Sequence, residues 1–196
     1  RTRARGVVLA ELGRASDCTL ILQIGSGFKV KGVDRSLRAV AALNAPQVHY
    51  LLVGADKAAP FRRLARRLGI AKQVSIVQGR SDVPALLAAA DLLLHPAYRE
   101  SAGYTLLEAV VAGLPVLTTQ TCGYAFHVQQ AGAGVVCDEP FSQEQLNTHL
   151  AAMLAQLSEQ EWSANGLRYG QNDELYRMPE AAAEAIMQAV GKTVEP

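Results

Sequence analysis

Six short apolar runs, each stopped by glycine, proline or a polar residue and each followed by a stretch of helical periodicity, constrain this chain more than any other feature. They lie at 19–24 (TLILQI), 48–53 (VHYLLV), 74–77 (VSIV), 91–95 (DLLLH), 115–118 and 134–137. Runs this short and this uniformly apolar read as parallel strands, which need covering helices on both sides. The expected fold is α/β, a Rossmann-like open parallel sheet with helices on both faces. Helices are expected over 33–43, 60–68, 82–90, 103–112, 124–131, 142–157, 159–169 and 179–190. Gly69 reads as a helix stop, Asp82 as an N-cap, and Ser142 with Gln145 as a capping box. No linker breaks the pattern, so one domain is expected: residues 1–17 a leader or interdomain segment, 19–157 the sheet core, 159–190 the final helices.

Composition narrows what such a domain does. With 19 basic and 18 acidic residues the formal net charge is +1, which argues against a nucleic-acid partner because dense phosphate contact calls for a basic excess. A 49% hydrophobic content excludes a disordered chain. Cys18, Cys122 and Cys137 are odd in number and form no CxxC pair, the usage of buried thiols in a reducing compartment, and cytoplasmic residence is expected. The longest apolar run, 83–94, contains Asp91 and falls short of the ~18 residues of a membrane span. No signal peptide is read at the start. The opening Arg-Thr-Arg suggests a piece of a longer polypeptide.

Open parallel sheets bind ligands beyond the carboxyl ends of their strands. Five polar or glycine-rich segments fall there, at 25–32, 54–57, 79–82, 95–103 and 118–123, and are expected to share one rim. The first, GSGFKVKG from Gly25 to Gly32, has the small residues and the lysines, Lys29 and Lys31, of a phosphate-binding turn. It departs from GxGxxG at Val30 and lacks the Gly-Lys-Ser/Thr order of a P-loop, so an ordinary strand-to-helix turn fits it equally well. More specific is HPAYRESAGYTLLEA at 95–109. It sets two carboxylates, Glu100 and Glu108, on either side of a small-residue helix entry at Ala102 and Gly103. A helix N-terminus offers free amides and the positive end of its dipole to an anion, while carboxylates suit the diols of a sugar or ribose. Taken singly, each acid also reads as an ordinary surface residue.

The spacing Glu100-x7-Glu108, then Ala109-x3-Gly113-x-Pro115-Val116, with Lys31-Gly32 after the first strand, resembles the retaining glycosyltransferases of the GT-B type (GT4-like). KGVDRS at 31–36, AADLLLHPAY at 89–98, GLPVLTT at 113–119, CGY at 122–124 and EPFSQEQLN at 139–147 resemble its branch that glucosylates the lipopolysaccharide core. The likeness covers the chain from about Thr19 onward. It implies the C-terminal, nucleotide-sugar-binding half of a GT-B fold, with an N-terminal acceptor half outside this chain, so that the chain alone is inactive. It also implies a UDP-sugar donor, UDP-glucose in the first place, and a lipopolysaccharide core acceptor reached through the other half.

Carried over by position, Lys31 contacts the diphosphate and Glu100 the transferred sugar, the two residues given the catalytic roles, and Glu108 holds the ribose. Amides at Ala102, Gly103, Tyr104, Thr105 and Leu106 meet phosphate or sugar. Gly25 belongs to the same turn, Arg80 lies close to the nucleotide, and backbone at Asp82 and Val83 meets the uracil. No metal and no cofactor is implied, since a lysine and a helix end can stabilise a departing diphosphate. One departure is Val30, where the family carries an arginine; Lys29 is then a candidate for the same phosphates, as a point charge instead of a fork.

Other residues carry two readings. His95 is read mainly as a packed strand-end histidine and secondarily as a sugar contact; His49, His127 and His149 lack metal-ligand spacing. Arg62, Arg63, Arg66 and Arg67 share a helix face that is either solvated or in peripheral contact with an anionic inner membrane. Tyr98 and Tyr124 line the sugar pocket or pack on the rim. The competing function is a non-catalytic nucleotide-binding or regulatory module on the same fold; a nicotinamide oxidoreductase is disfavoured by Val30.

Overall fold

The structure is a computed structural model that describes residues 2–158 and 160–191; Glu159, the expected first residue of a late helix, lies outside them. Among the described residues, six strands form one parallel sheet: β1 (Thr19–Ile24), β2 (Val48–Val53), β3 (Val74–Val77), β4 (Leu92–His95), β5 (Val116–Thr119) and β6 (Gly134–Cys137). Their order is β3-β2-β1-β4-β5-β6. The chain therefore reverses direction across the sheet between β1 and β4, and a crevice opens there at the carboxyl ends.

Helices occupy both faces. The helices are α1 (Thr2–Glu11), α2 (Val33–Ala42), α3 (Ala59–Arg67), α4 (Val83–Ala89), α5 (Tyr104–Val111), α6 (Ala125–Ala131), α7 (Gln143–Ala155), α8 (Trp162–Tyr169) and α9 (Met178–Gly191), the last exposed along residues 180–190 and covering neither face. Alternate residues of each strand serve opposite faces, as the pleat demands. Leu20, Leu22 and Leu93 join a core with α1, α4, α5 and α6. Ile21, Leu92 and Leu94 join a second core with α2, α3 and α7. Both surfaces of β1 and β4 are thus sealed, which explains why their sequences are apolar throughout.

Boundaries agree with expectation to within one or two residues, the ordinary ambiguity of helix and strand ends, except that α8 starts three residues late, at Trp162. Three differences have physical causes. Residues 2–11 are helical, although they carry no strong apolar stripe. Val8 and Leu9 bury, and the Arg5 guanidinium donates to the Ala89 and Cys18 carbonyls and to the Asp91 carboxylate at 2.6–2.9 Å. Asp91 is not a strand residue, because its carboxylate accepts from the Leu20 amide at 2.7 Å and pins β1 instead. Asp82 precedes α4 but makes no side-chain cap; its carboxylate is taken by Arg80. Ser142 does cap α7, its Oγ accepting from the Gln145 amide at 3.2 Å.

The rim is one continuous surface. Ser26 Oγ accepts from the Ala55 amide and Asp56 from the Phe28 amide, joining the β1 and β2 loops. Gln78 donates to the Asp56 carbonyl, and Thr121 Oγ1 to the Ala97 carbonyl. The tightest join is at the switch point. Gly32 has φ +68°, and a Cβ there would stand 2.0 Å from the Pro96 carbonyl oxygen. Gly27 has φ +77° but faces open space. Replacing Gly27 by Ala should therefore cost only the backbone strain, about 1 kcal/mol, and Gly32→Ala about 2 kcal/mol or more. Urea denaturation of both variants checks this; equal losses would show that the approach to Pro96 does not constrain the fold.

Candidate functional site

The site grows from a polar residue buried in β1. Gln23 is fully enclosed; its Oε1 accepts from Ser36 Oγ at 2.7 Å and from the Tyr50 hydroxyl at 2.5 Å. Its amide donates to the Lys31 carbonyl at 2.8 Å. A buried side-chain network satisfied in this way is rigid, so the backbone of Lys31 is fixed from beneath. From outside, the Tyr98 amide donates to the Val30 carbonyl at 2.8 Å. Arg35 completes the clamp. Its guanidinium donates to the Pro96 and Ala97 carbonyls and lies 3.6 Å from the Tyr98 ring centre and 3.5 Å from that of Phe141.

Across the crevice, Glu100 is held just as firmly. Its backbone bridges to Cys122, and its carbonyl accepts from the Gly123 amide at 3.1 Å. Gly123 is required there, because a Cβ would stand 2.1 Å from the Ser101 carbonyl oxygen. The two anchored loops bring Lys31 Nζ onto Glu100 Oε2 as an ion pair, with only 22% and 13% of the side chains exposed. Burial lowers the Lys31 pKa from its usual value. Gly103, at φ +91°, then starts α5 with no side chain capping it. The amides of Tyr104 and Thr105 at that end are the kind of donors that take an anion.

The remaining expected residues are distributed along the rim. Gly25, at φ +141°, lies beside the Lys31 stem, where a Cβ would make only an ordinary contact at 3.7 Å, so the backbone angle and not space favours glycine. Lys29 is exposed beside it, and Val30 is 45% exposed. Glu108 is exposed on α5, and Leu106 is buried beneath the helix end, its amide donating to the Gly103 carbonyl at 2.8 Å and so, against expectation, not free for a ligand. Arg80 is not free for a ligand as expected. It makes a two-pronged pair with Asp82 at 2.6–2.7 Å and a second pair with Glu11 at 2.8 Å. The bonds to Asp82 and Glu11 raise the arginine pKa, and the bond from Arg80 lowers that of Asp82. Val83 follows as the first residue of α4.

Tyr98 packs on Arg35 and donates to Asp34 at 3.0 Å. Tyr124 stacks edge-on against Tyr104, ring centres 5.2 Å apart, and against His127. His95 is buried, yet its Nε2 is 3.5 Å from Glu100 Oε2. Among the described residues no group of three His, Cys, Asp or Glu could hold a metal. No helix among them is long and apolar enough to cross a membrane. The roles of Gln23 and Arg35 were absent from the sequence reading. A glutamine inside an otherwise apolar strand was the available signal for the first; nothing local marks the second.

This strand order, with its site at the switch point, defines a Rossmann-like domain of the GT-B glycosyltransferase class. The chain belongs to the family described as glycosyl transferases group 1, whose profile matches residues 8–168. It is 51% identical over 171 residues to the lipopolysaccharide glucosyltransferase WaaG of Escherichia coli K12, covering 85% of this chain and 46% of that protein. The crystal structure of WaaG, a glycosyltransferase involved in lipopolysaccharide biosynthesis, superposes with a TM-score of 0.87 at 46% identity, covering 95% of this chain and 51% of that one. Anabaena Alr3699/HepE in complex with UDP-glucose shares the fold, with a TM-score of 0.79 at 23% identity, covering 96% of this chain and 53% of that one. The chain thus spans about half the length of these relatives.

Buried imidazoles give the fold a defined acid limit. Burial, helped by Lys31, lowers the His95 pKa to about 4; burial, helped by Arg14, does the same to His49. An unfolded histidine takes its proton near 6.5. Between those values the unfolded chain binds protons that the folded chain refuses, so stability is full above pH 6.5 and declines as pH falls toward 4. The melting temperature should be level from pH 8 to 7 and drop between 6.5 and 4.5, with part of that slope removed in His49→Gln. A level profile across the acid window would contradict both assignments.

Proposed function

We propose that this chain is the donor-binding half of a retaining glycosyltransferase that takes a UDP-sugar, UDP-glucose in the first place, and passes its hexose to the lipopolysaccharide core. The observation that carries the reading is the meeting of Lys31 and Glu100 in front of the uncapped N-terminus of α5. As the glycosidic bond to the diphosphate breaks, negative charge grows on the terminal phosphate. Lys31 and the amides of residues 102–105 supply preorganised positive potential for that charge, the device that lowers such a barrier most. Lys29 stands beside Lys31 and adds a second cation where Val30 offers none.

Glu100, relieved of Lys31, accepts hydrogen bonds from the sugar hydroxyls, and Glu108 accepts those of the ribose. The uracil lies toward 80–83, where Arg80, held by Glu11 and Asp82, frames the pocket through its fixed backbone. The mechanism asks for no metal. The UDP-glucose assignment draws support from the identity to WaaG and from the UDP-glucose complex of the Anabaena protein with this fold. Acceptor recognition is assigned to residues outside this chain, which covers about half of its relatives. On this reading the 196-residue chain binds UDP and transfers no sugar.

Residence in the cytoplasm suits a donor made there and the three cysteines, all buried and unpaired. Peripheral contact with the inner membrane is assigned to Arg62, Arg63, Arg66 and Arg67, all exposed on α3. Co-sedimentation with vesicles containing phosphatidylglycerol should fall when Arg63, Arg66 and Arg67 are replaced by Gln; unchanged sedimentation would remove the membrane from the account.

Calorimetry tests the donor site. The chain should bind UDP, and Glu108→Ala should weaken that binding by about 1.5 to 3 kcal/mol, the scale of a charged hydrogen bond. Equal affinities would remove Glu108 from the ribose.

A further inference from the structure

The Lys31–Glu100 pair bears on the donor site, because N–H groups that the lysine turns to a diphosphate are lost to the carboxylate. A second donor is then called for at Glu100 Oε2. Neither backbone can move to solve this: Glu100 is tied through Cys122 and Gly123, and Lys31 through Gln23. The lysine side chain is the flexible member of the pair. Once it turns to an anion at the α5 end, a half-buried carboxylate is left without its cation, and an unpaired buried charge is costly.

His95 stands where the replacement is needed. It is the last residue of β4 and 1% exposed, and neither ring nitrogen has a hydrogen-bond partner. Buried nitrogens without partners are uncommon in folded proteins, and each calls for an explanation. The Nε2 atom is 3.5 Å from Glu100 Oε2, the same oxygen that Lys31 occupies. The imidazole is anchored by its own backbone, which pairs with Thr118 in the sheet and accepts from Thr118 Oγ1 at 2.9 Å. Its burial keeps it uncharged near neutral pH, so it can offer an N–H without repelling Lys31.

We propose that His95 is a positioning residue that takes over Glu100 Oε2 through its Nε2–H when Lys31 leaves for the diphosphate, holding the carboxylate in place to meet the sugar. The inference rests on the donor-site reading above. The exchange moves one hydrogen bond and no covalent bond. In the empty site Lys31 neutralises Glu100; in the occupied site Lys31 neutralises phosphate and His95 supplies the remaining donor.

Nuclear magnetic resonance and binding measurements on the full 196-residue chain test it, with uridine and UDP as probes. Uridine carries no phosphate and leaves Lys31 where it is. In the wild-type chain, UDP should bring out a downfield, slowly exchanging Nε2 proton on His95, and uridine should not. His95→Phe should weaken UDP roughly tenfold and uridine less than about twofold, while His95→Gln, which keeps an amide donor, should stay near wild type. In a Glu100→Gln background the His95→Phe loss should vanish, since no charge remains to be held. Equal losses for uridine and UDP, additive losses in the double variant, or an imidazole indifferent to UDP would each overturn the exchange. A wild-type chain that binds uridine and UDP equally weakly would instead overturn the donor-site reading, and this inference with it.

Discussion

Everything at the rim depends on how closely residues 31 and 32 approach the end of β4. Two strands adjacent in space but far apart in sequence present their loops to each other, and only a residue without a side chain lets the backbones meet as they do at Gly32 and Pro96. The join is reinforced from both sides, by the Gln23 network below and by the Arg35 guanidinium between two aromatic rings above. These supports are polar groups removed from water with most of their partners supplied by the fold, the condition under which buried polarity specifies a structure instead of weakening it. Lys31 and Glu100 meet because the frames that carry them are rigid.

The electrostatics are local. A net charge of +1 leaves no broad field over the surface. At the switch point a lysine, a helix end and a carboxylate sit close together and are partly shielded from solvent. Interactions of that kind gain strength from the low effective dielectric and lose little to salt. Family membership and the fold shared with WaaG establish the class of the domain; the arrangement at this end of the sheet is read from the side chains themselves.

Much of this was legible in the sequence, for reasons that differ by residue. The strands announced themselves because both faces of a parallel sheet are buried, so 19–24 and 48–53 are apolar without alternation. The rim followed from the stops after them, and the Glu100–Glu108 segment from its small-residue helix entry. What stayed hidden was long-range and made by side chains. Residues 2–11 form a helix because Arg5 finds three partners 13 to 86 positions away, and no local pattern encodes that. Asp82 has the composition of an N-cap, yet the guanidinium two residues before it competes for the same carboxylate and wins. His95 was readable as a packed residue, and it is one; its closeness to Glu100 is set by the turn that brings 95–100 back over the strand end.

The central place of β1 has a consequence for how the molecule comes into being. Its neighbours are β2 on one side and β4 on the other, and the Leu20 amide finds the Asp91 carboxylate across 71 positions. Emerging from a ribosome, β1 can pair with β2 early, but its other edge stays open until β4 has been made. The switch point is created by that second pairing, so it forms only after β1 has waited with an exposed strand edge. Topologies of this kind fold slowly and offer that edge to other chains meanwhile. The same reversal of strand order that places the candidate site at the switch point delays the site until β4 has been made.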